Sequence, residues 1–477
     1  MPLRMRQGAV AGALPIVRES AMTDGMRQVV LASRQARLAA LALVVVASFG
    51  CSRSPEDAKP EPSVTAGAAD PSAAEGEARA SSATRPNIVL IIGDDLGYPF
   101  HGFMGDRLVQ TPHLDRLASE GTVFVNAYVT ASKCAPSLRT LLTGDLPFRP
   151  KPKKPRPRVP WKQETLPTLL GKQGYASYQA GKFWEPGATD AGFTDGTKSG
   201  ELGGSIPEQW MGGAKGLAIG RRGIQPVREF IDRHAAEPFF LWFAPMLPHK
   251  PWDAPAAYRE RYAGVAKELG PAKLAYFANV SRFDDVVGEL VGYLDEKGLR
   301  ESTLIVYLSD NGYDPVGKRG GEGKSTMFEL GFRTPLVFRW PGHVPAGVVR
   351  EDLVSALDLY PTLLDYGGAA APAGRLGIDL RPAIEKGTPV GRAEILGFMS
   401  AVRPHFDGER PESPPGGTDA YFLRDARWHY VWYPKVGDDQ LFDLSSDPGE
   451  RRNVIAEHPD RAEEFRKKLE AWWESLR

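Results

Sequence analysis

Two pairs of oxygen-bearing side chains stand where apolar runs end: Asp94 and Asp95 close NIVLIIGDD, and Asp310 and Asn311 close TLIVYLSDN. Donors of this kind, with no His or Cys among them, suit a hard cation such as calcium or magnesium. A single pair would read as the cap of a following loop or helix. Two pairs on buried strands point to one divalent site, because ligands of an open α/β sheet gather at the carboxyl edge of its strands. A third run, PFFLWFAPMLPH, reaches the same predicted edge and ends in His249, a group that exchanges a proton near neutral pH. Cys134 opens CAPSLRTLLTG, in which Pro136 and Ser137 read as the first residues of a short helix running to Gly144. At a positive helix end, a cysteine is suited to the thiolate state or to an anionic substrate group.

The elements that must position these groups alternate along the chain. Helical segments such as HLDRLASEG, ETLPTLLGKQG, VREFIDRH and FDDVVGELVGYLDEKG separate near-continuously apolar strands, the pattern of strands covered by helices on both faces. The prediction for residues 86–374 is an α/β domain with a large mixed, mostly parallel sheet sandwiched by helices. From 375 to 477 the strands become shorter and more polar (EILGFMS, AYFLRD, WHYVWYP, QLFDL). A last helix carries Phe465, Leu469, Trp472, Trp473 and Leu476 on one face. This segment reads as a small antiparallel sheet with one packed helix.

Lys plus Arg equals Asp plus Glu at 59 each among 477 residues, which gives no support to a nucleic-acid partner. The run LAALALVVVASFG from Leu38 to Gly50 follows Arg34 and Arg37 and is short for a membrane span, so residues 1–51 read as an export signal. Residues 1–33 carry little pattern, and Met22 and Met26 are alternative starts. Cys51 directly after Gly50 has the placement of a bacterial lipoprotein's acylated cysteine, although Ser48 stands where Leu is usual. The alternative is a plain secretory signal. Either implies an exported protein, periplasmic or anchored to the outer membrane. Residues 52–85, rich in Ala, Pro, Ser and Glu, read as a disordered tether. With two cysteines in all, Cys134 has no disulfide partner once Cys51 is lipidated, so it is either buried and inert or kept for chemistry. The basic run from Arg149 to Lys162 and the glycine-rich stretch 199–223 read as surface loops.

From Pro86 onward the chain resembles the type I sulfatases of the alkaline phosphatase superfamily. The resemblance rests on DDLG at Asp94–Gly97, TPHLDRLASEG, CAPSLRTLLTG, GYASYQAGK, PFFLWFAPMLPHKPW, LSDNG, KSTMFELGFRTPLVFRWPG, DLYPTLLDYGG and LFDLSSDPGERRNV, in that order. It implies an alkaline phosphatase-like fold and hydrolysis of a sulfate monoester, as on a carbohydrate. It also implies that a maturation enzyme oxidises Cys134 to formylglycine. One hydroxyl of the hydrated aldehyde then attacks sulfur, and the second expels sulfate from the resulting sulfo-enzyme. The same resemblance implies one divalent cation, calcium before magnesium, held by Asp94, Asp95, Asp310 and Asn311 against the modified Cys134. Lys182 and Lys324 would clamp the sulfate, and His249 would protonate the leaving oxygen or bind sulfate.

Two positions depart from the family pattern. Its C-x-P-S-R signature has Arg where this chain has Leu138, with Arg139 one place later. One residue turns a helical side chain by about 100°, so Arg139 takes the missing role only if the first turn adjusts. The family's GKWH reads Gly181, Lys182, Phe183, Trp184, which replaces a proton carrier by an apolar or stacking wall. Two alternatives follow: a phosphate or phosphonate ester hydrolase with the same layout, and a silent binder of sulfated ligands in which Cys134 stays a thiol.

Overall fold

The computed structural model describes residues 85–148, 161–185, 187–197, 213–316, 323–402 and 418–477. The expected signal with Cys51, nearly all of the tether, most of the basic run and the first part of the glycine-rich stretch lie outside them. Eight strands form the large sheet: β1 (Asn87–Gly93), β2 (Thr122–Tyr128), β3 (Ala176–Gly181), β4 (Asp195–Gly196), β5 (Phe239–Ala244), β6 (Thr303–Ser309), β7 (Arg333–Arg339) and β8 (Val348–Ser355). Their order is β4-β3-β5-β1-β6-β7-β2-β8. All neighbours pair in parallel except β7, which runs antiparallel to both β6 and β2.

Strands that are nearly continuously apolar must be covered on both sides, and the packing shows this directly. Ile88, Leu90, Ile92, Phe240, Trp242, Leu304, Val306 and Leu308 enter one apolar layer, while Val89, Ile91, Leu241, Phe243, Ile305 and Tyr307 enter the other. Each such side chain contributes about 1.5–3 kcal/mol relative to exposure, an upper figure because unfolded chains are already partly compact. Helices α1 (Pro112–Ser119), α2 (Cys134–Thr143), α3 (Gln225–His234), α4 (Ala266–Glu296) and α5 (Leu359–Tyr366) supply the cover. α1, α3 and α4 bury their apolar stripes in the second layer, and α2 and α5 in the first. α4 is two helical stretches meeting at Gly270 and Pro271, and its buried Asp284 accepts the backbone N–H groups of His113 and Leu114 at the start of α1, at 3.0 and 2.8 Å.

A second sheet of β9 (Ile395–Val402), β10 (Thr418–Arg424), β11 (Trp428–Trp432) and β12 (Gln440–Asp443) is antiparallel throughout. Ile395, Met399, Ala420, Phe422 and Val431 join the first apolar layer. On the other face Tyr421, Leu423, Tyr430 and Leu441 pack on Phe465 and Leu469 of α6 (Pro459–Ser475), with Trp472 and Trp473 alongside. Buried ions tie the sheets together. Tyr128 and Arg333 donate to Glu329 at 3.0 and 3.3 Å, Arg424 of β10 lies 3.5 Å from it, and Glu450, paired with His429, accepts the backbone N–H of Glu329 at 2.7 Å.

Candidate active site

Strands β3, β5, β1 and β6 are adjacent and parallel, so their carboxyl ends open on one edge. They deliver Lys182, His249, the Asp94–Asp95 pair and the Asp310–Asn311 pair, respectively. Gly181 makes the first delivery possible: a Cβ there would stand 2.1 Å from the Ala244 carbonyl, and its φ of 97° is one that side chains resist. The Lys182 backbone can therefore donate to Ala244 at 2.6 Å. Asp94 donates its N–H to the Leu247 carbonyl and Asp310 donates to Gly93, both at 2.9 Å, while Asp95 N–H donates to Asp310 Oδ1 at 3.1 Å. The two acidic pairs are thus stitched to each other and to the His249 loop.

Cys134 arrives from β2 as the first residue of α2, with Lys133 as the cap. Gly144 ends the helix in the left-handed region, where a Cβ would strike the Tyr360 ring. The sulfur lies 3.9 Å from Asp94 Oδ1 and 3.8 Å from Asp95 Oδ1. The loop bearing Lys324 is pinned to the same segment, since Ser325 N–H donates to the Ser132 carbonyl at 2.8 Å and Ser132 Oγ donates to Thr326 at 2.6 Å.

Around the sulfur the charges interlock. Lys182 donates to Asp94 and, at 3.3 Å, to Asp310; Lys324 donates to Asp95 at 2.6 Å; and His249 Nε2 lies 3.4 Å from Asp95 Oδ2. Burial works against ionising Asp95, but the Lys324, His249 and Lys182 charges hold it down to about 2. Burial wins at Asp310, which is pushed up to about 6 despite Lys182. Burial would release the Lys182 proton, yet Asp310 and Asp94 hold it on.

One expectation is corrected here. Burial, followed by the negative charge of Asp310, raises the Cys134 thiol instead of releasing its proton. Burial first, and the Asp310 carboxylate after it, hold the proton on the sulfur at the start of this ten-residue helix, so the unmodified residue is a protonated thiol and a weak nucleophile.

The acidic cluster fits a cation. Among the described residues, ligand atoms of Asp94, Asp95, Cys134 and Asp310 lie within 4.8 Å of one another. Asp94 Oδ2 and Asn311 Oδ1 are buried with no hydrogen-bond partner, which leaves one unpartnered oxygen acceptor in each of the two polar pairs. Asn311 meanwhile donates from Nδ2 to Asp95 Oδ1 at 2.8 Å, which fixes its amide orientation.

Arg139 is the sequence-predicted site residue that the structure does not bring in. Its side chain is 48% exposed and lies 3.8 Å from Glu185, because the helical turn that sends Leu138 into the apolar layer sends the next residue outward. The pocket above the cluster encloses about 400 Å³ and is lined by Cys134, Lys182, Lys324 and His249. Trp184 stands in its wall, together with Lys133, Met246 and Ser325, which sequence reasoning missed. For Lys133 the signal was adjacency to Cys134. Met246 and Ser325 carry none in their types.

A sequence model of the family described as Sulfatase matches residues 86–369, and one described as N-sulphoglucosamine sulphohydrolase, C-terminal, matches 317–477. The chain is 32% identical to N-acetylgalactosamine-6-sulfatase of Sus scrofa over 63% of its own length and 66% of that protein. It is 30% identical to arylsulfatase A of Bos taurus over 79% of its length and 84% of that protein. The structure of Ps i-CgsB in complex with k-i-k-neocarrahexaose superposes with a TM-score of 0.64 at 26% identity, covering 82% of this chain and 93% of that one.

Proposed function

The chain belongs to the sulfatase family of hydrolases, and from that premise we propose that it cleaves a sulfate monoester carried by a glycan, using a formylglycine made from Cys134. The observation that carries the reading is the convergence of Cys134, two ammonium groups and His249 on one pocket, each in reach of the cluster of three carboxylates and Asn311. The glycan half draws on the sulfated-sugar activity named for one relative and the oligosaccharide held by one structural neighbour.

Asp94, Asp95, Asp310 and Asn311 would hold a divalent cation, calcium before magnesium, whose charge offsets that of the sulfate oxygens and lowers the pKa of a nearby hydroxyl. Formylglycine would supply the attacking hydroxyl that a protonated thiol does not. Lys182 and Lys324 face the pocket and bind the sulfate, each oriented by a carboxylate. His249 Nδ1 lies 2.6 Å from the Lys250 carbonyl, which only accepts, so Nδ1 carries a hydrogen and the proton traded with the leaving oxygen sits on Nε2. Trp184 provides a flat wall for a sugar or aryl ring and narrows water access.

Steady-state rates on matched 4-nitrophenyl sulfate and 4-nitrophenyl phosphate, with protein matured in a host that makes formylglycine, test the assignment. Sulfate turnover is expected to dominate, and faster phosphate turnover rejects it. We also propose export with a lipid anchor at Cys51, on the strength of the Leu38–Gly50 run and its flanking arginines. Palmitate labelling that survives Cys51→Ala would refute the anchor.

A further inference from the structure

His249 stands on the segment that leaves β5, residues 245–251, which forms neither helix nor strand apart from a single bridge of Pro248 to Asp94. Such a segment holds a side chain steady only if its peptide groups find partners. Here the Leu247 carbonyl accepts from the Asp94 backbone, and the Met246, His249 and Pro251 carbonyls accept from one distant side chain. Arg221 lies in the turn after the short helix Gly213–Ala218, with its side chain 8% exposed. Its Nη1 donates to the Met246 carbonyl at 2.5 Å, and its Nη2 donates to the His249 and Pro251 carbonyls at 3.2 and 3.4 Å. Nε donates to the Asp253 carboxylate at 3.3 Å.

The guanidinium is itself held. Arg282 of α4 donates to the Arg221 carbonyl at 2.8 Å and to Asp253 at 3.2 Å. A Cβ on neighbouring Gly220 would stand 3.3 Å from both Leu247 and Pro245, so this turn and the His249 segment are in close contact. A planar fork with five donors spans three carbonyls and a carboxylate at once, which a lysine ammonium on a flexible stem does not.

We propose that Arg221 is the positioning residue for His249, fixing the loop so that Nε2 faces the leaving oxygen in the pocket. The inference rests on the sulfatase reading, in which His249 delivers that proton. Loss of a positioned acid slows esters in proportion to how poor their leaving group is, whereas a merely structural defect lowers all rates by one factor.

The test uses aryl sulfates graded from 4-nitrophenyl to unsubstituted phenyl, with rates normalised to the aldehyde content of each preparation. Arg221→Lys is expected to lose on the order of 100-fold in kcat/KM on phenyl sulfate and less than about 5-fold on 4-nitrophenyl sulfate. In a His249→Ala background the same substitution is expected to cost nothing further. Asp253→Asn, at a half-exposed carboxylate, is expected to steepen the leaving-group dependence in the same direction by a smaller factor. A uniform loss across the series, additivity with His249→Ala, or an unchanged dependence in Asp253→Asn overturns the inference. Absence of turnover on every aryl sulfate by the matured wild type overturns the sulfatase reading itself, and this inference with it.

Discussion

Replacing Lys182 by Met removes one charge from a buried cluster whose sum can be counted. Asp94, Asp95 and Asp310 bring three negative charges, Lys182 and Lys324 two positive ones, and all but Lys324 are nearly sealed from solvent. With Lys182 gone, the unliganded cluster becomes more negative by one charge. Lys182 Nζ stands 3.3 Å from Asp310 Oδ2, an interaction of about 5 kcal/mol at an effective dielectric constant of 20. Broken buried pairs cost about 3–5 kcal/mol. For a domain of this size that is a fall in Tm on the order of 5 °C in chelator. The loss should be smaller at pH 5 than at pH 8, because Asp310, already pushed up to about 6, takes up a proton more readily without its ammonium partner. Calcium should restore more stability to the variant than to the wild type, since the cation no longer shares Asp94 and Asp310 with an ammonium group. Calorimetric unfolding of both proteins, in chelator and across a calcium series, checks each part. Equal Tm values in chelator, or equal calcium-induced shifts, would refute the electrostatic account of the cluster.

Three further outcomes follow from other parts of the molecule. Glu329→Gln leaves Arg333 and Arg424 buried against a neutral amide and should cost about 3–5 kcal/mol, read from urea unfolding. The carboxyl of Asp284 is raised from 3.8 to about 7 by burial, against the two N–H groups it accepts, so the folded state keeps a proton that the unfolded chain releases. Its contribution to stability therefore falls as pH climbs from about 4 to 7, and Asp284→Asn should flatten that slope in unfolding curves. Arg139→Ala should change stability by less than about 0.5 kcal/mol and leave kcat/KM on an aryl sulfate within about 3-fold, because its side chain is half-exposed. A loss of about 100-fold would return Arg139 to the site.

What could be read in advance follows from how local each signal is. The strands that place Asp94, His249 and Asp310 are nearly continuously apolar, a pattern that fixes their burial and hence the edge at which the polar residues emerge. The C-terminal sheet and the inward face of α6 were legible for the same reason, through alternation and helical period. The reversed direction of β7 was not, since TPLVFRWPG would read identically in either orientation. The thiolate reading of Cys134 rested on the helix end, which is local, whereas the burial that keeps the thiol protonated, and the Asp310 carboxylate that adds to it from about 176 positions away, are set by tertiary packing. Arg139 failed on helical phase, a shift of about 100° that spacing alone states but does not resolve. Arg221 was invisible: it recognises backbone carbonyls, which carry no residue identity.

The central claim is that residue 134 acts as formylglycine in sulfate ester hydrolysis, and the departure at Leu138 makes its maturation the step to examine. Mass spectrometry of the peptide carrying residue 134, from a preparation whose turnover of an aryl sulfate has been measured, tests it most directly. The account predicts the aldehyde, trapped as a hydrazone, in proportion to activity across preparations. An intact thiol in protein that turns over the ester at full rate would contradict it.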